Sequence, residues 1–385
     1  MIPMIPMTRP LLDDAECDAV TRVLRSGMLV QGAEVARFEQ LVAEQCQRAH
    51  AVAVSNGTAA LALALEALGV GPGDEVLVPA LTWPSPAHAV RGVAATVKLV
   101  DVDPHEWNST PEAFAAARSS RTRAAIVIDQ FGNPARAPEL HAVLDGLIVI
   151  EDAACALGSV FADGKPCGSL GDVSCFSFHP RKVITTGEGG MCLTDDAELA
   201  RRLRVLRNHG QAAPGVFERH AGNFRLTELG GALGVAQMAR LGEINQGRRE
   251  HASVMRAALS QAAPGLEFQE SPAGALPNLQ TFGVLLPAGS TAPQRDAFVE
   301  ACKQHGAQAG PLSYALGDVP SVTPDGSPLR PDGEPWVAAD VVARGVSLPL
   351  FPTMTAAERS QVVSAVTHAY QELMGASAPL REQVS

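Results

Sequence analysis

Residues Val173–Thr194 read VSCFSFHPRKVITTGEGGMCLT, two apolar runs around a loop that holds a single lysine. Val173–Phe178 and Gly190–Thr194 each have the length and apolar content of a buried strand. Toward lower numbers, five further runs share that character: Ala51–Ser55, Glu75–Pro79, Thr96–Asp101, Ala124–Asp129 and Leu147–Glu151. Helical patterns lie among them, as at Thr58–Leu68 and Ala197–Arg207. Strands that are apolar along most of their length and alternate with helices predict a mostly parallel sheet covered on both faces. Near Leu241 the pattern changes. A polar-faced helix at Arg240–Ala262 leads into a Pro/Gly-punctuated region with a strand at Gln280–Leu286 and helices at Gln294–His305 and Thr355–Leu373. The expected division is a large domain over 1–240 and a smaller α+β domain over 241–385. An exposed loop is expected at Thr323–Pro335 and a frayed tail over the last dozen residues.

Composition narrows the function classes. The chain has 385 residues, 46% of them apolar and 18% charged, which excludes a disordered protein. Its apolar stretches are interrupted well short of the roughly 18 residues a spanning helix needs. The net charge of −11, with no Lys/Arg cluster, argues against a nucleic-acid or anionic-membrane partner. The first residues, MIPMIPM, carry no basic segment and no cleavage site, so no secretory leader is expected. Seven cysteines without a C-x-x-C pair suit a reducing cytoplasm and offer no zinc spacing. Of the 30 basic residues only Lys98, Lys165, Lys182 and Lys303 are lysines, so a reaction that needs an amine nucleophile has few candidates.

Three constellations could carry chemistry. At Ser55–Leu61, SNGTAAL places a tight turn between a strand and an alanine-rich helix, which makes either an anion cup or an ordinary capped corner. The GVGPG run at Gly69–Gly73 follows a helix, so it reads as a C-cap and not as a dinucleotide loop. At Ile150–Ala154, IEDAA puts Asp152 at the end of an apolar strand, where it could cap the next segment or pair with a buried cation. In the opening stretch, Ser177 comes to a strand's edge and Lys182 lies five residues on. A lysine among apolar and glycine residues can act as a Schiff-base nucleophile, or it can simply pair with Glu188. Anion cup, carboxylate, hydroxyl and amine together suit a ring bearing a phosphate, a basic nitrogen and an aldehyde, which is pyridoxal 5′-phosphate.

With these motifs the chain resembles the DegT/StrS sugar aminotransferases, of the fold type I aspartate aminotransferase superfamily. Other matching segments are SGMLVQGAEVARFE (Ser26–Glu39), GPGDEVLVP (Gly71–Pro79), Thr82–Trp83, DVDP (Asp101–Pro104) and GSLGD (Gly168–Asp172). LRNHG (Leu206–Gly210), NFRLTEL (Asn223–Leu229) and SLPL (Ser347–Leu350) complete the set. The resemblance implies an α/β fold: a large domain with a mostly parallel seven-stranded sheet flanked by helices, plus a smaller C-terminal α+β domain. It further implies that Lys182 bonds to pyridoxal phosphate and that Asp152 holds the pyridine nitrogen protonated. Trp83 would stack on the ring, and Gly57, Thr58 and Ser177 would hold the phosphate. Asn223 would reach that phosphate from a second subunit, in a homodimer with shared sites. Cys155 stands where relatives usually carry a Gln that contacts the ring oxygen, and DQFGN at Asp129–Asn133 replaces a segment with His and an aromatic. The implied activity is transfer of an amino group from glutamate or glutamine to a keto sugar, often nucleotide-linked. A family dehydratase would carry His in place of Lys182. A nicotinamide dehydrogenase would need a G-x-G-x-x-G fingerprint that is missing, and a non-catalytic regulator would be expected to show a basic arm.

Overall fold

The computed structural model describes residues 3–322 and 336–376. Seven strands form the main sheet: β1 (His50–Val54), β2 (Glu75–Pro79), β4 (Thr96–Val100), β5 (Thr122–Ile128), β6 (Ile148–Asp152), β7 (Val173–Ser177) and β8 (Gly190–Thr194). A two-residue strand, β3 (Leu81–Thr82), lies outside it. The order is β1-β8-β7-β6-β5-β2-β4, parallel except at β8, which runs against both of its neighbours. All seven expected strands are present, displaced by no more than two residues at either end. Alternate side chains enter opposite cores, as the two-residue period of a strand requires. Val52, Val76, Ile126 and Ile150 join one cluster, and Ala53, Leu77, Ala125 and Val127 the other. The expected seven-stranded α/β architecture is therefore present, and β7 is an interior strand, so Ser177 lies half-buried at its C-terminal end and not at a sheet edge.

Helices cover both faces. Among them are α1 (Asp14–Ser26), α2 (Ala33–Gln45) and α3 (Gly57–Ala67), of which α3 begins at the site. The GVGPG run is a helix C-cap, with Gly69 at φ 73° and the Val70 N–H donating to the Leu65 carbonyl. The start of α2 lacks a capping side chain of its own, since Gly32 occupies the cap. Buried Glu228 supplies it from a distance of nearly two hundred residues, accepting from the Gly32 and Glu34 N–H groups at 2.6 Å and from Val35 at 3.3 Å. Glu228→Ala would strand these donors in a dry contact. A stability loss of about 3 kcal/mol is expected in urea unfolding, and a loss below about 0.5 kcal/mol would show that the carboxylate is not the cap.

The later part of the chain forms a four-stranded antiparallel sheet from Glu267–Phe268, Phe282–Leu285, Gly345–Leu348 and Gly310–Pro311. The helices Leu241–Ala262, Ala292–Gln304 and Ala356–Ala376 accompany it, near the expected positions. Its core contains Met255, Phe298 and Val366, and also Ile5, which pairs with Ala307. Leu312, Leu316 and Val341 join one core of the main sheet, so hydrophobic packing is continuous between the two sheets. The expected loop at Thr323–Pro335 and most of the expected tail lie outside the described residues.

Candidate active site

The C-terminal ends of β1, β5, β6 and β7 share one rim of the sheet, where ligands of open α/β folds bind. After β1, Asn56 caps α3 by accepting the Ala59 N–H at 2.9 Å. The first N–H groups of the helix, at Gly57 and Thr58, have no intrahelical acceptor and lie at the positive end of the helix dipole. Gly57 lets this end approach β7 closely, because a Cβ there would come 2.8 Å from the Ser177 Cβ. Gly190 is needed for the same reason: a Cβ would collide with the Asn56 carbonyl. Thr58 Oγ1 bonds Ser85 Oγ at 2.9 Å, adding hydroxyls to the anion-binding corner.

The lysine loop is held shut at its base. Phe178 N–H donates to the Gly189 carbonyl at 2.8 Å, while Thr185 Oγ1 and Thr186 N–H donate to the Phe178 carbonyl. A turn closed by Lys182 N–H on the His179 carbonyl presents Lys182 to the cavity. Its Nζ contacts Cys155 Sγ at 3.1 Å, and it forms no ion pair with Glu188. The other lysines are placed differently. Lys98 is exposed on β4, Lys165 pairs with Asp163 at 3.6 Å and Lys303 with Glu300 at 3.6 Å.

Asp152 ends β6, is 7% exposed, and accepts the Ala154 N–H at 3.1 Å. Burial pushes its carboxyl up to about 6, against the opposing pull of the Lys182 ammonium and the Ala154 N–H; Glu151 adds to the rise. Among the described residues it has no ion-pair partner. A buried acid without a cation, an amine without a carboxylate and a helix end without an anion fit the pyridinium, aldehyde and phosphate of pyridoxal phosphate.

Gly57, Thr58, Trp83, Asp152, Cys155, Ser177 and Lys182 all line one cavity of about 1350 Å³. Trp83 is 61% exposed at its rim, in edge contact with Tyr314 at 5.3 Å between ring centroids. Asn223 is outside this lining and exposed; its backbone bridges to Asn208. Asp129, Gln130 and Phe131 also face the cavity. Sequence reasoning missed the wall that arrives from the second half of the chain. Tyr314–Ala315 pairs with β3, Gln280 Nε2 donates to the Arg181 carbonyl at 2.9 Å, and Gln308 and Ser347 complete the lining. Two-residue strands and single glutamines leave no periodic signal.

The family model for DegT/DnrJ/EryC1/StrS aminotransferases matches residues 10–367. Aminotransferase TlmJ from Streptoalloteichus hindustanus is 31% identical, with a TM-score of 0.88 over 96% of this chain and 100% of that one. DesV from S. venezuelae, solved in complex with a ketimine intermediate, is 30% identical, with a TM-score of 0.87 over 96% and 99% of the two chains. An aminotransferase from Psychrobacter cryohalolentis is 29% identical, with a TM-score of 0.87 over 97% and 100%. Nearly full-length matches of sequence and fold, around a cavity whose groups suit pyridoxal phosphate, lead to one conclusion: the chain belongs to the DegT/DnrJ/EryC1/StrS aminotransferase family and is a pyridoxal phosphate-dependent aminotransferase.

Proposed function

We propose that this enzyme moves an amino group from glutamate or glutamine to a keto sugar linked to a nucleoside diphosphate, in cytoplasmic amino-sugar or natural-product biosynthesis. The observation that carries the reading is Lys182 and Asp152 together in a cavity of about 1350 Å³. That exceeds the roughly 300–1,000 Å³ of ordinary small-ligand sites and leaves room for an acceptor much larger than a keto acid. When bound, pyridoxal phosphate supplies the aldehyde carbon that carries the amine and a ring that delocalises electrons. Lys182 Nζ would hold the cofactor, and its free amine would take the proton from the donor's Cα as general base. Asp152 keeps its charge against the ring nitrogen. Gly57, Thr58 and Ser177 hold the phosphate, and the exposed indole of Trp83 covers the ring. Cys155 contacts Lys182 and would stand beside the ring oxygen, where it is shorter than Gln and a weaker hydrogen-bonding group.

The chain is divided at residue 240 into a large cofactor-binding domain and a small domain that closes the cavity. The active unit is a homodimer, and Asn223 serves the partner's site. Its exposure and its absence from the cavity of its own chain support this, as do the exposed Met28, Val30 and Phe217. Free cysteines throughout, together with the absence among the described residues of a helix able to cross a membrane, support a cytoplasmic setting.

Nitrogen-labelled glutamate, offered with a panel of nucleotide-linked and unlinked keto sugars, should label a nucleotide-linked amino sugar detected by mass. Labelling of unlinked acceptors alone would reject the nucleotide link. Subunit mixing tests the shared site: Lys182→Ala protein is combined with an inactive Asn223 variant under exchange. About half the dimers are then mixed, and each has one intact site, so roughly a quarter of all sites should recover activity. No activity above the sum of the parents would place Asn223 in its own chain's site or outside any site.

A further inference from the structure

Behind Asp152 lie two more carboxyl groups that the reaction does not use. Asp129 follows β5, Glu151 lies on β6, and both are fully buried at 0% exposure. Their side-chain oxygens and the Cys167 sulfur lie within 4.8 Å of one another. Hydrogen bonding to the two acids is unequal. Glu151 accepts from the Gly168 N–H, from the Leu170 N–H at 2.8 Å and from Ser174 Oγ at 2.7 Å. Asp129 Oδ1 accepts one N–H, from Ala135 at 2.8 Å, and its buried Oδ2 has no partner among the described residues. Neither acid has an ion-pair partner among those residues.

Two carboxylates in dry contact without a cation repel each other strongly, and a shared proton removes the conflict. We infer that Asp129 is protonated on Oδ2 and donates that hydrogen to Glu151, so that the pair carries a single negative charge behind Asp152. The assignment follows the donors: the acid with three of them keeps the charge, and the acid with an orphaned oxygen keeps the proton. Burial, reinforced by the charge of Glu151, pushes Asp129 well above the carboxylate range. The other titratable groups around the pair do not replace the proton. Cys167 hydrogen-bonds Asp129 only as a weak, neutral thiol donor, Cys46 and Cys175 are likewise buried thiols pushed up by that burial, and the Arg48 guanidinium reaches the pair through Ser174 Oγ, at 3.4 Å. The pair is joined to the site, since Asp129 N–H donates to the Asp152 carbonyl at 3.2 Å and Glu151 is the chain neighbour of Asp152. Asp129 is thus a positioning residue. By holding a proton it spares Asp152 a second adjacent charge, which would oppose its ionisation.

This role for Asp152 rests on the function proposed above, whereas the proton does not, and the test reads the proton without turnover. At neutral pH the infrared difference spectrum between the cofactor-loaded wild-type enzyme and Asp129→Asn should show the carbonyl stretch of a protonated carboxylic acid. Glu151→Gln should shift the same band, because the protonated Asp129 then loses the carboxylate that accepts its hydrogen. Sign and size follow from linkage: a raised carboxyl stabilises the fold below its unfolded value, and this contribution is lost as pH rises toward the folded value. Relative to wild type, the folding equilibrium constant of Asp129→Asn should therefore gain about tenfold per pH unit from mildly acidic to neutral pH. If the variants do not fold, wild-type enzyme with carbon-13 aspartate should shift the acid band. Carboxylate bands alone, a pH-independent stability difference, or one equivalent of metal by elemental analysis would each overturn the shared proton.

Discussion

Lys182→Ala protein is expected to lose transamination by several orders of magnitude while keeping its fold and binding pyridoxal phosphate only noncovalently. In the proposed reaction nucleophile and proton carrier are the same atom, so both contributions would vanish together. General base catalysis alone is typically worth about 10²–10⁴-fold, and groups that act as a unit do not add. The fold should survive because the hydrogen bond of Lys182 Nζ among the described residues is to Cys155 Sγ alone, and the turn that carries it is closed by backbone bonds. Borohydride reduction of the loaded wild-type enzyme, followed by peptide mapping, should find the cofactor on Lys182. A label on exposed Lys98, or on Lys165 or Lys303 with their carboxylate partners, would reject the assignment.

Asp152→Asn should have opposite effects on stability and on activity. In the cofactor-free protein the carboxyl is pushed up to about 6, chiefly by burial. A group raised above its ordinary value near 3.8 stabilises the fold at low pH, and that contribution is lost as pH rises through about 6. Above pH 6 the buried charge therefore costs roughly two pKa units, or about 3 kcal/mol. Removing it should make cofactor-free Asp152→Asn more stable than wild type by an amount of that order at neutral pH, and indistinguishable from it well below pH 4. With cofactor bound the ranking should reverse, since in the proposed role the wild-type carboxylate would then pair with a protonated ring nitrogen. Turnover should fall about a hundredfold or more, the scale of losing one electrostatic contact to developing charge. Urea unfolding with and without cofactor, and single-turnover rates, check both parts. Near wild-type turnover in Asp152→Asn would refute the role.

What was legible in the sequence follows from how far each signal extends along the chain. The seven strands could be read because parallel strands are buried on both faces and so appear as unbroken apolar runs, as at Val76–Val78 and Ala124–Ile128. Lys182, Asp152 and Ser177 could be picked out because each stands at or just beyond the end of such a run. The cap that Glu228 provides to α2 could not, since a carboxylate and its donors 196 positions apart have no local pattern. The same holds for Tyr314 against β3 and for Gln280 under Arg181. Asp129 was visible only as a departure from a motif. Its closeness to Glu151 becomes apparent when β5 and β6 lie side by side.

The pairing of Ile5 with Ala307 bears on how the protein folds. Met7 N–H also donates to Gln308 Oε1, 301 positions away, and Met7 and Thr8 line the cavity. A ribosome making about 5–20 residues per second completes the main sheet well before residue 307 emerges. Until then Ile5 lacks its strand partner, although part of its apolar cluster, such as Met255 and Phe282, has already been made. Closing so long a loop adds little to the entropic cost, which grows only with the logarithm of length, but it makes the contact late and slow. The core of the second sheet is therefore complete only once this earlier-made segment packs against it, and Met7 and Thr8 join the cavity wall with that contact.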